Sequence, residues 1–339
     1  MRITILLPHY KTWKMSIYAM SKLLQHKGKH QLNVAIIDNS VGPDSAEILD
    51  WCNENASADF DISYLAYPPN MMQSHGLAFD YALNRNIVKT EHFITIESDS
   101  FPTQDNWLDY YESLINQGYD MAGSKMKLSG GEYIHPAGAM YKKSNWIEAK
   151  EFVKTLNEHY HYYPNLGVKH YEINGKKYSF PCHVMSRERL TDFPDKHHSY
   201  NNVSFEDQLN SYLPIAQSVF HNGMGFKQES YLTYGHRNIA GEKNSIWGNQ
   251  ENTIYRMGYE PGQWFAYWHY ATGKKVGEIP TQIQWMPNRV NQQQEQTVME
   301  NGFTHLWAVT AYHDCTDPAV ADIAKRKSEL MNQLYESIK

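Results

Sequence analysis

The sequence predicts an α/β fold with a mostly parallel sheet and helices on both faces. Three observations carry this. Four short apolar, β-prone runs alternate with stretches of helical periodicity before residue 105. The runs are nearly continuous in their apolar residues, as expected of strands covered on both faces rather than half exposed. The connections between them suit helical crossovers returning to a parallel sheet.

The elements follow in order. Arg2 to Leu7 reads as a buried strand ended by Pro8-His9-Tyr10. Thr12 to about Gln25 carries Trp13, Met15, Ile17, Met20, Leu23 and Leu24 near helical spacing. Leu32 to Ile37 is the second strand, closed by Asp38-Asn39-Ser40. The turn Gly42-Pro43-Asp44-Ser45 opens a helix to about Cys52, and Ile62 to Tyr67 is a third strand broken by Pro68-Pro69-Asn70. A helix from Ser74 to Leu83 leads to the fourth strand, His92 to Ile96, which runs into Glu97-Ser98-Asp99. A helix from about Gln104 to Gln117 follows.

Gly118 to Gly123 is a further short strand, and Glu132 to Tyr141 contains His135-Pro136-Ala137-Gly138, small residues that let another group approach the backbone. Ser144 starts a helix to about His159. His159-Tyr160-His161-Tyr162-Tyr163 is a run of rings with no helical face. Tyr178 to Val184 is a strand. Ser204 opens a helix, with Asp207 at its capping-box position and Glu206 beside it. Gln217 to Phe220 reads as a strand ending in His221. After about Thr233 the regular alternation stops. Trp264, Phe265, Tyr267, Trp268 and Tyr270 form a second aromatic run. Phe303 to Tyr312 reads as a strand, and Asp317-Pro318 begins a final helix to about Tyr335. The expected division is a catalytic domain over residues 1–235 and an aromatic-rich extension over 236–339 that binds the acceptor.

Composition narrows the function. The 339 residues carry a formal charge of −6, so no basic footprint for a nucleic-acid backbone stands out. The 3 cysteines are widely separated, with neither zinc spacing nor a disulfide framework, which points to a reducing, cytoplasmic setting. No apolar run reaches membrane-spanning length. Neither G-x-G-x-x-G after the first strand nor a Walker A sequence is present, which argues against an ordinary dinucleotide fold or a P-loop enzyme.

The strand ends hold the chemistry. Ligands of α/β sheets bind beyond the carboxyl ends of the strands. There, Glu97 and Asp99 offer two hard oxygen donors for a divalent cation; the alternative is a helix cap. Asp38 can accept from a base or ribose edge, or simply close an Asx turn. His221 is a candidate metal ligand or phosphate contact, or a hydrogen-bonded strand-end histidine. Tyr234-Gly235-His236-Arg237 brings positive charge toward the same side.

In this order the motifs resemble a nucleotide-sugar glycosyltransferase of the GT-A fold, family 2-like. The matching residues are Ile3 to Tyr10, Ile36-Ile37-Asp38-Asn39-Ser40, Asn70 before a glycine- and alanine-containing helix, and Glu97-Ser98-Asp99 in place of Asp-x-Asp. Glu206-Asp207 and His221 fit the acidic pair and the later metal-binding histidine. The resemblance covers about residues 1–235 and departs at Glu97 and His9. It implies a nucleotide-sugar donor, UDP-linked for preference, held by Pro8, His9, Tyr10, Asp38, Asn70, Ser98 and Arg237. It also implies Mn²⁺ or Mg²⁺ on Asp99, Glu97 and His221, and a base at Asp207 or Glu206. The expected acceptor is a hydroxyl of a glycan or glycoside. Two alternatives stay open: a phage-type enzyme that glycosylates hydroxymethylated DNA bases, and a catalytically degenerate GT-A binding module. The oligomeric state is not set by the sequence.

Overall fold

The computed structural model describes residues 1–38, 40, 45–67, 75–128, 131–156, 168–181, 183–189, 218–220, 253–259, 261–285, 294–306 and 321–339. Its centre is a sheet in the order β13-β6-β8-β4-β1-β2-β3. The first strands are β1 (Arg2–His9), β2 (Gln31–Asp38), β3 (Phe60–Ala66) and β4 (His92–Thr95), and β1 pairs in parallel with β2 and β4, and β2 with β3. On the other side β6 (Met121–Leu128) and β13 (Val276–Ile279) are parallel to each other. Between the two groups, β8 (Ala139–Lys142) runs antiparallel to β4 and to β6. A short strand, β7 (Gly131–Ile134), folds back on β6. This is the expected α/β class, a mainly parallel sheet flanked by helices.

The continuous apolar runs are explained by two cores, one on each face. Ile3, Ile5 and Leu7 of β1 enter one core and Leu6 enters the other, the period-2 alternation of a strand covered twice. The first core takes α1 (Trp13–Gln25), α2 (Ser45–Asn55) and α4 (Trp107–Asn116), through residues such as Met20, Ile48 and Trp107. The second takes α3 (His75–Asn84), α5 (Lys143–Leu156) and α6 (Gln263–Ala271), through Phe79, Trp146 and Phe265. Each fully buried side chain of this kind contributes about 1.5–3 kcal/mol relative to exposure.

The segment after residue 236 is woven into this frame. Its strand β13 completes the main sheet. β14 (Thr281–Trp285), β15 (Gln294–Met299) and β16 (Phe303–Leu306) form an antiparallel sheet that ends on β5 (Ser100–Pro102). The final helix, α7 (Ala321–Glu336), packs on α1, with Trp13 and Tyr335 edge to face at 5.0 Å. Two small antiparallel pairs complete the described strands: the hairpin of β9 (Val168–Ile173) with β10 (Lys176–Pro181), and β11 (His183–Arg189) with the sequence-distant β12 (Thr253–Gly258).

Two expectations are corrected. Residues 218–220 form a bend rather than a strand, because Asp80 collects their polar groups; Phe220 N donates to Asp80 Oδ2 at 3.0 Å. The aromatic run in α6 is not a display of rings. Trp264, Phe265 and Trp268 are buried in the second core, and only Tyr270 is exposed. A helix whose rings face a sheet loses them to packing.

Candidate active site

The candidate site lies where β4 leaves the sheet. Ile96 N still bonds to Leu6 O at 2.9 Å, and the chain then turns. Glu97 N donates to Ser100 Oγ at 2.7 Å, Ser100 Oγ donates to Glu97 O at 2.8 Å, and Ser100 N reaches Glu97 O at 2.9 Å. Ser100 therefore clamps the Glu97-Ser98-Asp99 turn from its far end and starts β5. There β16 lies antiparallel, with His305 opposite Ser100 and Leu306 N bonded to Asp99 O at 2.9 Å. The last sheet thus delivers an imidazole to the acid pair.

His305 Nε2 is 3.3 Å from Glu97 Oε2 and 3.5 Å from Asp99 Oδ1. One donor atom from each of Glu97, Asp99 and His305 falls within 4.8 Å of the others. Asp99 and His305 are buried. Two further imidazoles face Glu97: His75 Nε2 at 3.8 Å from the start of α3, and His135 Nε2 at 3.9 Å from the loop between β7 and β8. His135 stacks on His305, with ring centroids 5.3 Å apart. Its Nδ1 accepts from Ala137 N at 3.2 Å, which assigns the proton to Nε2 on the side of Glu97.

Charge follows from this crowding. Burial alone would raise Glu97, but His75, His305 and His135 hold it well below the usual carboxylate range. Burial would lower His305, but Glu97 and Asp99 outweigh it and raise it to about 10. His135, without so close an acid, is pushed by burial down to about 3. Two carboxylates and an imidazole are the hard and borderline donors that divalent Mn²⁺ or Mg²⁺ accepts, so the residues fit such an ion. An ion there would take the place of the proton on His305.

The expected donor-binding residues divide. Pro8 and His9 belong to β1, and His9 is buried, its Nδ1 2.9 Å from Ser16 Oγ and its Nε2 4.0 Å from Asp38 Oδ1. Asp38 accepts from Ser40 N at 2.7 Å and from the Tyr64 hydroxyl, so it does close an Asx turn. Tyr10 is exposed at the sheet edge beside it. Ser98 is buried and turned toward Thr12, whose hydroxyl donates to it at 3.3 Å. Asn70, Glu206, Asp207, His221 and Arg237 lie outside the described residues, as do the rings from His159 to Tyr163.

The sequence reading passed over His305, His75 and His135. A signal existed for two of them. His135 sits in the small-residue stretch already singled out, and His305 lies two residues into a predicted strand. Neither could be placed without knowing that β16 pairs with β5.

No family description matches the chain, and no curated protein matches it. Solved structures with partial likeness include S. aureus TarS 1-349 in complex with UDP, at 15% identity over 44% of this chain and 48% of that one, TM-score 0.33. The galactosyltransferase LgtC in complex with donor and acceptor sugar analogs matches at 9% identity over 47% of this chain and 67% of that one, TM-score 0.33. The glycosyltransferase GlyE of Streptococcus pneumoniae TIGR4 matches at 14% identity over 47% and 39%, TM-score 0.34. The match spans less than half of the TarS 1-349 chain. Likeness at this level supports no conclusion about substrate.

Proposed function

We propose that the chain is a metal-dependent glycosyltransferase. In this reading it moves a sugar from a nucleoside-diphosphate donor, UDP-linked for preference, to a hydroxyl of a glycan or glycoside. The observation that supports it is the Glu97–Asp99–His305 cluster at the carboxyl edge of the sheet, where α/β folds bind ligands. The two acids and His305 would hold Mn²⁺ or Mg²⁺, with the nitrogen donor favouring Mn²⁺ over Mg²⁺. When bound, the ion supplies Lewis-acid stabilisation of the diphosphate.

The chain's own residues have separate tasks. Exposed Tyr10 offers a ring face to the base, and Asp38 beside it retains acceptor capacity, since a carboxylate has about four lone-pair sites. His305 holds Glu97 ionised, and the neutral His135 turns its Nε2–H toward the same carboxylate, which keeps the cluster ready for a cation. In transfer, the acceptor oxygen bonds to the anomeric carbon while the bond from that carbon to the diphosphate oxygen breaks. Its electron pair stays on the diphosphate, and the hydroxyl proton passes to Asp207 or Glu206.

The test has two stages. Calorimetry with UDP and GDP, with and without Mn²⁺, should give metal-dependent binding of one of them; no binding to either would overturn the reading. Labelled sugar nucleotide is then offered to cellular glycan, ordinary DNA and hydroxymethylated DNA. Label in glycan, with release of nucleoside diphosphate, is the expected result. Label only in hydroxymethylated DNA would move the acceptor to that class.

A further inference from the structure

The turn between β7 and β8 touches both halves of the cation cluster. His135 N donates to Ser124 O at 2.9 Å, Thr95 Oγ1 to Pro136 O at 2.7 Å, Gly138 N to Thr95 O at 2.8 Å, and the Tyr111 hydroxyl to Gly138 O. Thr95 lies two residues before Glu97. On its other side the turn meets the last sheet. Gly138 has a φ of +80°, and a Cβ there would stand 2.5 Å from Phe303 Cδ1 and 2.6 Å from Met299 Cε. Glycine alone accepts both that backbone and that contact. Phe303 lies two residues before His305. One short turn therefore grips the strand that delivers the acids and the strand that delivers the imidazole.

Its histidine completes the grip. His135 Nδ1 accepts from Ala137 N at 3.2 Å, so the proton sits on Nε2 and neither nitrogen offers a lone pair to a cation. That Nε2–H faces Glu97 Oε1 at 3.9 Å, an oxygen with no hydrogen-bond partner among the described residues. A shift of about 1 Å would make the contact a hydrogen bond. The ring also stacks on His305, with centroids 5.3 Å apart and planes 22° from parallel. A third imidazole thus turns its donor to one member of the cluster and its face to another.

We propose that the turn from His135 to Gly138 is the positioning element of the cation site, and that His135 is a positioning residue and not a ligand. Its N–H holds Oε1 of Glu97, which leaves Oε2 to face the ion, and its ring holds the plane of His305. This rests on the reading of Glu97, Asp99 and His305 as a cation site.

The test uses the full chain and Mn²⁺ alone as the probe. His135→Phe keeps a stacking ring and loses the donor, and His135→Gln restores a donor near the place of Nε2. Phenylalanine is expected to weaken Mn²⁺ about 10- to 100-fold, the scale of groups that orient a ligand, and glutamine to stay within about threefold of wild type. In a Glu97→Gln background, His135→Phe should cost about threefold or less, because the effect passes through the carboxylate. An additive loss there marks a general packing defect and overturns the assignment. Equal Mn²⁺ affinity of wild type and H135F overturns it too, as does an equal loss in H135F and H135Q. Imidazole ¹⁵N spectra of metal-free wild type near neutral pH need no variant. They should show a proton on Nε2 of His135; a proton on Nδ1 overturns the proposal. If wild type shows the Nε2–H tautomer but binds no Mn²⁺, the metal reading fails and His135 stands as the partner of Glu97 alone.

Discussion

One imidazole nitrogen, His305 Nε2, stands within 3.3 Å of Glu97 Oε2 and 3.5 Å of Asp99 Oδ1. Two acids two positions apart in sequence and a histidine about 200 positions further on therefore share a single point. In the absence of a cation the proton on His305 fills that point; a cation must compete with it.

The competition predicts a pH dependence. His305 is raised to about 10, so near neutral pH it is protonated in the empty site. Binding of Mn²⁺ should release about one proton, and affinity should rise about tenfold per pH unit between pH 7 and 9. Calorimetry in buffers of different ionisation enthalpy measures the proton count. Zero release would remove His305 from the ligand set.

The same geometry ranks the ligands. Asp99→Ala and His305→Gln should each weaken Mn²⁺ by at least about 10- to 100-fold, the scale seen even for groups that only orient a ligand. Glu97→Gln should cost less metal affinity, since Glu97 Oε1 already faces His75 at 3.8 Å and His135 at 3.9 Å, whereas Asp99 Oδ1 turns to His305 within the cluster. Titration of the three variants with Mn²⁺ checks the order. A D99A protein that binds as wild type does would refute the site.

Asp80 predicts a stability effect away from the metal. It accepts from Trp146 Nε1 at 2.7 Å, from Phe220 N at 3.0 Å and from the Ser218 hydroxyl. Burial nevertheless raises it to about 6 against those donors. A folded value above the unfolded one means that the proton stabilises the fold. That contribution is complete below about pH 4 and is lost as pH rises through about 6. The stability of wild type relative to Asp80→Asn should therefore fall from pH 4.5 to 6.5, by up to about 1.4 kcal/mol per pH unit. Urea unfolding of both proteins across that range measures it; a difference that grows with pH would contradict the assignment.

Trp264 separates packing from recognition. It is fully buried, and its Nε1 has no hydrogen-bond partner among the described residues. Trp264→Ala should cost about 3–5 kcal/mol as a cavity. Trp264→Phe should cost about 1.5 kcal/mol or less if neighbouring rings repack. Denaturant midpoints decide this. An alanine variant as stable as wild type would return the ring to the surface.

What was legible in the sequence was local. The strands and the acid turn were visible because burial on both faces leaves continuous apolar runs and because turn residues end them. What was hidden depends on distant pairing. His305 reads as one polar residue in a short strand until Phe303-Thr304-His305 is set against Pro102-Phe101-Ser100. Lys327, buried on α7, reads as an ordinary helix lysine until its neighbours are seen to face a core. The rings of α6 are legible as a run but not as a packed one, because composition does not distinguish a displayed ring from a buried one. Asp38 was named correctly as a strand-end acid, but the Tyr64 hydroxyl that holds it comes from a neighbouring strand.

The ladder between β5 and β16 also sets a sequence of events in the life of the chain. Thr103 and Gly302 are joined through both N–H and hydroxyl, although 199 positions separate them. During synthesis, β1 to β4 and their helices can pair long before β16 exists. The acids are then in place without the imidazole that completes their triad. Closure of so long a loop is among the later, slower steps of folding. The nascent chain therefore carries the Glu97–Asp99 turn well before His305 can join it, and the proposed cation site is complete only once β16 has paired with β5.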